Sequence, residues 1–369
     1  MKRLIGLIVN PVAGMGGAVG LKGTDGPDAY DAALKLGAKP VAPRRCEEFL
    51  AALKLSGLSF TVATYPNLMG EIECRNQSVP VEKLGSICEK TTSQDTKQAA
   101  VLLRERRVEL LVFCGGDGTA RDILTAIDGD LPTLGVPAGV KMYSAVFAST
   151  PRQAAFAVEG FLRGEITLGE AEVVDVDEAE VRRGRLTVGL TGYLMAPRDE
   201  RLMTSTKSAS PATLDEKSNQ QAIAKQIVEH MEPDTLYILG PGTTVVAVAV
   251  LLGVKKTLLG VDVVSREGLI AEDVNLDTLL RLVADKPARI IISPLGRQGF
   301  LFGRGNQQIA AEVIERVGVE NIIVVATKAK LAGVKHLRID TGDVSLDQRL
   351  RGFMRVRTDY GEETMVEVI

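Results

Sequence analysis

The stretch "LLVFCGGDGTARDI", residues 110 to 123, constrains the fold more than any other part of the chain. Four apolar residues, Leu110 to Phe113, run almost directly into glycines set around Asp117 and Thr119, and a helical pattern begins near Ala120. An unbroken apolar run is what a strand buried on both faces requires, so the glycines fall where that strand ends. The chain opens the same way. Leu4 to Val9 lead into "NPVAGMGGAVGLKGTDG", a loop holding Gly14, Gly16, Gly17, Gly20, Gly23 and Gly26. Ordering a glycine loses more conformational freedom than ordering any other residue, so a loop this rich in them indicates close approach to something.

Between and after these loops the same alternation continues. Helical spacing covers 28–37, 44–55, 93–107 and 120–127, while 59–66 and 131–139 carry strand signals. Strands alternating with helices predict a mainly parallel sheet covered on both faces. Ligands of such sheets bind beyond the carboxyl ends of the strands, where both glycine loops fall, so the two are expected to face one cleft. The texture changes after the helical 152–164. Residues 171–197 alternate apolar and polar side chains around Arg183-Gly184, as an antiparallel hairpin does, which places a boundary near residue 160. A polar linker over 205–220 leads to a helix at 218–231. Strand-like and helix-like pieces then alternate from 236 to about 330, and the tail reads as a hairpin around Tyr360-Gly361.

At 369 residues the chain has the length of two domains. Its 44 basic and 47 acidic side chains leave a formal charge of -3, which supplies no global field for DNA or RNA. Cys46, Cys74, Cys88 and Cys114 show no C-x-x-C spacing and accompany only His230 and His336, so a zinc site is disfavoured. The pattern reads as reduced thiols of a cytoplasmic protein, and both histidines read as structural or solvated. Leu4 to Val9 is too short for the core of a signal peptide. The uncharged stretch 235–254 is divided by "GPGTT", which predicts strand, turn and helix in place of a membrane span.

Phosphate groups are held by main-chain N–H donors, and a glycine-rich turn at a helix N-terminus offers several with no Cβ in the way. Gly115, Gly116, Gly118 and Thr119 fit that description. Asp117 does not, because a carboxylate repels phosphate unless it ligates Mg²⁺ or takes the proton of an attacking hydroxyl. The combination indicates phosphoryl transfer. The alternative is a tight turn in which Asp117 caps the following helix.

"GGDGT" preceded by "NPxAGxGG" resembles the superfamily that unites NAD kinases with diacylglycerol and sphingosine kinases. Within it, "NPVAGMGGAVGLKGTDG", "CGGDGTARDI" and "GVPAGVKMYSAVFA" look like the ATP-NAD kinase-like branch that includes the acetoin-catabolism protein AcoX. The resemblance implies an α/β fold of two domains. The first, 1–160, would be a Rossmann-like parallel-sheet nucleotide-binding domain. The second, 161–369, would be a β-rich α/β domain whose tail returns to the first, with the active site between them. It implies ATP or polyphosphate as donor, NAD as acceptor, Mg²⁺ as cofactor and a homodimer or homotetramer, with no nucleic-acid or membrane partner. Asp117 would be the base acting on the 2′-hydroxyl of the adenosine ribose. Asn10, Gly14, Gly16, Gly17, the motif glycines and Thr119 would hold nucleotide phosphates.

The resemblance also gives Gly242 and Thr243 of "GPGTT" a phosphate contact, although an ordinary strand-to-helix turn accounts for that string equally well. Lys22, Asp25, Asp122 and Lys141 are further candidates beside the loops of the first domain. Arg297 and Arg304, among glycines in "SPLGRQGFLFGRGNQQ", suit bidentate phosphate recognition. The pair after the motif is Arg121-Asp122 where lipid kinases carry Asn-Glu, and Pro137 stands where NAD kinases carry an asparagine. Two alternatives follow: a kinase of another small hydroxyl compound or lipid, and a catalytically silent nucleotide-binding regulator.

Overall fold

The computed structural model describes residues 3–21, 32–87, 91–139, 142–176, 188–199, 202–203, 214–295 and 298–369. The chain forms two compact units: Met1–Gly16 with Lys22–Thr206, and Gly17–Leu21 with Lys207–Ile369.

The first unit is built on five parallel strands, β1 (Arg3–Val9), β2 (Phe60–Thr64), β3 (Val81–Lys83), β4 (Leu110–Gly115) and β5 (Thr133–Pro137), in the order β3-β2-β1-β4-β5. Leu110 to Cys114 are fully buried, as a central strand covered on both faces demands. Around the sheet stand α1 (Ala42–Lys54), α2 (Glu71–Asn76), α3 (Ser93–Glu105), α4 (Asp117–Ile127) and α5 (Pro151–Arg163). Local chemistry sets their ends. A reciprocal capping box between Thr92 and Asp95 starts α3, whereas α5 starts at the Thr150 hydroxyl with Pro151 behind it and stops at Gly164 in the left-handed region. The chain leaves β1 toward β2 and leaves β4 toward β5. The connections therefore diverge between β1 and β4, and a ligand crevice opens there at the carboxyl ends of the strands.

The hairpin β6 (Leu168–Val176) and β7 (Val188–Pro197) extends this unit well past residue 160. Its Ala171, Val173, Leu194 and Ala196 join the core that contains Phe113, Ile123 and Val136. The change of texture in the sequence marks a new supersecondary motif, but the apolar face of that motif belongs to the first core. Arg183-Gly184 lies outside the described residues.

The second unit carries a mixed sheet of β8 (Leu236–Leu239), β9 (Asp262–Ser265), β10 (Gly268–Ala271), β11 (Ala288–Ile292), β13 (Ile322–Val325), β15 (Gly352–Asp359) and β16 (Glu362–Val368), in the order β10-β9-β8-β11-β13-β15-β16. Strands β8, β11, β13 and β15 are parallel to their neighbours in that series. A small separate sheet pairs β12 (Phe300–Phe302) with β14 (Arg338–Ile339). Strand alternation supplies two cores: Leu236, Ile238, Ile290 and Ile292 face one, and Tyr237, Leu239 and Ile291 the other. Helices α6 (Leu214–Glu229) and α7 (Thr243–Leu251) cover the second of these through Ile223, Ile227, Val245 and Val248. The remaining helices are α8 (Leu276–Leu282), α9 (Ala311–Val317), α10 (Lys328–Ala332) and α11 (Val344–Arg349). The tail hairpin β15–β16 completes this sheet.

Among the described residues no helix is long and apolar enough to cross a membrane. Residues 235–254 fold as β8, a turn and α7, each too short to span a bilayer.

Candidate active site

At the divergence between β1 and β4, one asparagine connects the two glycine loops. The Asn10 backbone N–H donates to the Cys114 carbonyl at 2.9 Å, and its side-chain Nδ2 donates to Thr119 Oγ1 at 3.0 Å. The Val12 N–H donates back to Asn10 Oδ1 at 3.3 Å. Thr119 is buried. Asn10 and Thr119 thus fasten the end of β1 to the start of α4, which makes them positioning groups in the ligand-free chain.

Several motif glycines are explained by the chain's own close packing. Gly14, at φ +80°, lies where a Cβ would come within 1.9 Å of the Ala138 carbonyl oxygen. A Cβ on Gly115 would meet Thr119 Oγ1 at 2.4 Å, and one on Gly139 would meet the Gly116 Cα at 2.9 Å. The Gly115 carbonyl accepts from the N–H groups of Ala138 and Gly139 at 3.0 and 3.1 Å. Gly14, Gly115 and Gly116 therefore let three loop ends converge. Gly116, Asp117 and Gly118 remain half-exposed at the junction, while Gly16 and Gly17 are buried, Gly17 with Gln307 beside it in the second unit.

Helix α4 begins at Asp117, earlier than the pattern from Ala120 suggests. Gly116 is the N-cap of this helix, and the Asp117 carboxylate, one residue on, is gripped from another loop. Oδ2 accepts the Tyr143 N–H at 2.8 Å and Oδ1 accepts the Ser144 N–H at 3.0 Å, from a loop 26 and 27 residues downstream. That loop is firmly seated. Ser144 Oγ accepts the Val174 N–H at 3.1 Å, and the Ala145 N–H donates to Glu172 of β6 at 2.8 Å. Phe147 meets Phe113 edge-to-face at 5.3 Å, a geometry worth about 0.5–1.5 kcal/mol beyond burial. Gly135 makes room for that ring: a Cβ there would lie 2.4 Å from it. Burial pushes the Tyr143 phenol up, and the negative charge of Asp117 pushes it further, so the phenol stays protonated.

The other acidic candidate of this region, Asp122, faces Lys97 of α3 at 3.5 Å. Lys22, Asp25, Lys141 and Arg297 lie outside the described residues. Arg304 is buried, with Nε 3.7 Å from Asp340 and its guanidinium 4.5 Å from the centre of the Phe300 ring. An arginine among glycines gives the same sequence signal whether it meets phosphate or a carboxylate of its own chain. His230 holds the Gln226 carbonyl of its helix, and His336 pairs with Glu367 at 3.0 Å.

In the second unit "GPGTT" joins β8 to α7. Gly242 precedes the helix at φ +118°, Thr243 is exposed, and Gln220 Nε2 donates to Thr243 Oγ1 at 3.3 Å. The sequence signal for Tyr143 and Ser144 was absent, because they act through main-chain N–H groups that every residue carries.

Comparison with known proteins gives these sites their context. Residues 5–166 match the model of the ATP-NAD kinase N-terminal domain, and residues 233–368 match that of the ATP-NAD kinase C-terminal domain. The chain belongs to the ATP-NAD kinase family. As a member with both domains it is a phosphotransferase with an alcohol acceptor, acting on ATP and NAD to give NADP. No curated protein matches this kinase in sequence. Among solved structures, the glycosyltransferase VinC in complex with DTDP matches at 12% identity, over 91% of this chain and 75% of the other, with a TM-score of 0.22. The kinase's N-terminal domain match contains the Asn10 and Asp117 loops, and the C-terminal one contains "GPGTT".

Proposed function

We propose that Asp117 is the base of this NAD kinase. The carboxylate takes the proton of the ribose 2′-hydroxyl as that oxygen attacks the γ-phosphorus of ATP, the bond to the bridging oxygen breaks, and ADP leaves. The observation that carries the assignment is the grip of the Tyr143 and Ser144 N–H groups on the two carboxylate oxygens. An alcohol that donates to this carboxylate meets a group whose orientation is already fixed. Pre-set orientation is worth more than proximity alone, because no further ordering is needed at the reacting moment. Asn10 and Thr119 hold the crevice in shape, and the half-exposed main chain at Gly116 and Gly118 lies where a phosphate would be met. Gly242 and Thr243 supply a further phosphate contact in the second unit.

Mg²⁺ fits as a companion of the nucleotide. Among the described residues no group of three or more metal-ligating side chains exists. Mg²⁺ commonly needs only one or two carboxylates with substrate phosphates and water, and Asp117 is the half-exposed carboxylate of the crevice. When bound, it neutralises charge on the transferring phosphate. Polyphosphate is the alternative donor. The strings around both loops support placement in the AcoX-like branch. Buried free thiols at Cys46, Cys74 and Cys114 support a cytoplasmic location. Exposed Val250, Leu251, Phe353 and Met365 support a homodimer or homotetramer, which light scattering would read directly.

The assignment is tested with ATP, Mg²⁺ and NAD by following NADP. Asp117→Asn lowers kcat by about 100- to 10,000-fold with ATP still bound. Normal turnover by the variant would remove Asp117 from the mechanism. Release of ADP that responds to another alcohol and not to NAD would move the acceptor.

A further inference from the structure

The second unit has a divergence of its own. The chain leaves β8 through α7 toward β9 on one side, and leaves β11 toward β13 on the other. The carboxyl ends of β8 and β11 thus bound a crevice of the kind in which open α/β sheets bind ligands. Gly242, before α7, lies against Ser293 at the end of β11: among the described residues, a Cβ there would approach within 4 Å only the Ser293 Cβ, at 4.0 Å.

Lys330 reaches the same place from α10, which follows β13. Its Nζ donates to Ser293 Oγ at 2.9 Å, and Ser293 is fully buried. The residue as a whole is partly exposed, but its ammonium end is buried. Among the described residues it makes no ion pair. Glu216 of α6 is the acid whose charge reaches it, and that carboxylate accepts the Thr327 hydroxyl at 2.7 Å. A buried ammonium is retained only where something compensates it, and one hydroxyl with the reach of the Glu216 charge does so only in part. In the first turn of α7, Thr244 is also fully buried, with no hydrogen-bond partner for its hydroxyl among the described residues.

We propose that this crevice is an oxyanion site for a phosphoryl group, with Lys330 as its cation, Ser293 as the hydroxyl that positions the ammonium, and the first turn of α7 as the source of main-chain donors. Helix α7 adds the positive end of its dipole, and the exposed Thr243 side leaves the crevice open to solvent. The phosphoryl group is either carried by a nucleotide or free as inorganic phosphate. The kinase reading makes a nucleotide the natural carrier, but binding itself does not depend on that reading.

The test measures thermal unfolding and calorimetric binding of the full chain with inorganic phosphate and, separately, with ATP, for the native protein, Lys330→Met and Ser293→Ala. Native protein gains thermal stability with phosphate. Lys330→Met, which replaces a partly compensated charge by an apolar chain of similar length, unfolds at a higher temperature without ligand and loses at least about tenfold in phosphate affinity. Ser293→Ala binds several-fold more weakly. An equal loss for ATP assigns the site to nucleotide phosphate, and a loss confined to phosphate assigns it to the free anion. Unchanged affinity for both ligands in Lys330→Met overturns the proposal, as does a less stable variant that keeps its phosphate response. Absence of NADP formation by the native protein would overturn the kinase reading and leave these binding results standing.

Discussion

The two crevices share a topology and differ in what they bury. In the first unit the crevice is closed by neutral hydrogen bonds, Asn10 to Thr119, and presents an acid whose oxygens are held by main-chain N–H groups. In the second, a buried ammonium stands beside a serine with no acid paired to it. One arrangement suits moving a proton, and the other suits holding an anion. The same strand-end geometry thus carries opposite charge, and the sign comes from one side chain in each unit. The largest test of this contrast sets Asp117→Asn against Lys330→Met. The first lowers kcat by about 100- to 10,000-fold and leaves the phosphate-induced rise in thermal stability intact. The second weakens phosphate binding at least about tenfold and shrinks that rise. If Asp117→Asn also removed the phosphate response, the two crevices would not be independent.

The glycines of the two crevices differ as well. Gly14 is required by contact, with the Ala138 carbonyl 1.9 Å from where a Cβ would sit, whereas Gly242 has open space and is required only by its φ of +118°. Gly14→Ala must displace main chain and is expected to destabilise by about 2–5 kcal/mol. Gly242→Ala meets conformational strain alone, about 1–2 kcal/mol. Chemical denaturation of both variants checks the order, and equal losses would mean that the packing around Gly14 yields.

Much of this was legible in the sequence because apolar runs that stop at glycines have few structural solutions. β1, β4 and β8, with the turns that follow them, were readable for that reason. β3, β12 and β14 span two or three residues each, too few for a period to register. The hairpin β6–β7 was readable as a hairpin, but which core it joins depends on which face of it is apolar and what that face meets, and alternation alone does not say. The N–H groups that hold Asp117 have no side-chain signature. Lys330 and Ser293 lie far downstream of "GPGTT" and meet it only because β8, β11 and β13 are parallel neighbours. Arg304 carries the sequence signal of a ligand site, and its nearness to Asp340, at 3.7 Å, has no signal of its own.

The units also carry opposite buried charges away from neutrality, which pH separates. Burial holds the Lys330 ammonium down to about 8, partly opposed by Glu216. The native state then binds fewer protons than the unfolded chain between about pH 8 and the ordinary lysine range near 10.4, so ligand-free stability rises with pH across that window, by on the order of 3 kcal/mol. Phosphate affinity falls over the same window as the cation is lost. In the first unit Glu73 of α2 is buried, neither oxygen has a well-formed hydrogen bond among the described residues, and burial raises it to about 6, with Glu47 adding and the nearby Glu73 and Gly70 N–H groups opposing. Here the native state binds the extra proton, and the sign reverses: the stabilisation is full below the ordinary glutamate value near 4.3 and is lost as pH rises through about 6. Glu73→Gln, which keeps shape and removes the charge, should therefore gain on the order of 2 kcal/mol over the native protein at pH 7 and nothing at pH 4. Unfolding of the two proteins across that range checks it, and an equal difference at both pH values would show that Glu73 stays ionised by finding a partner.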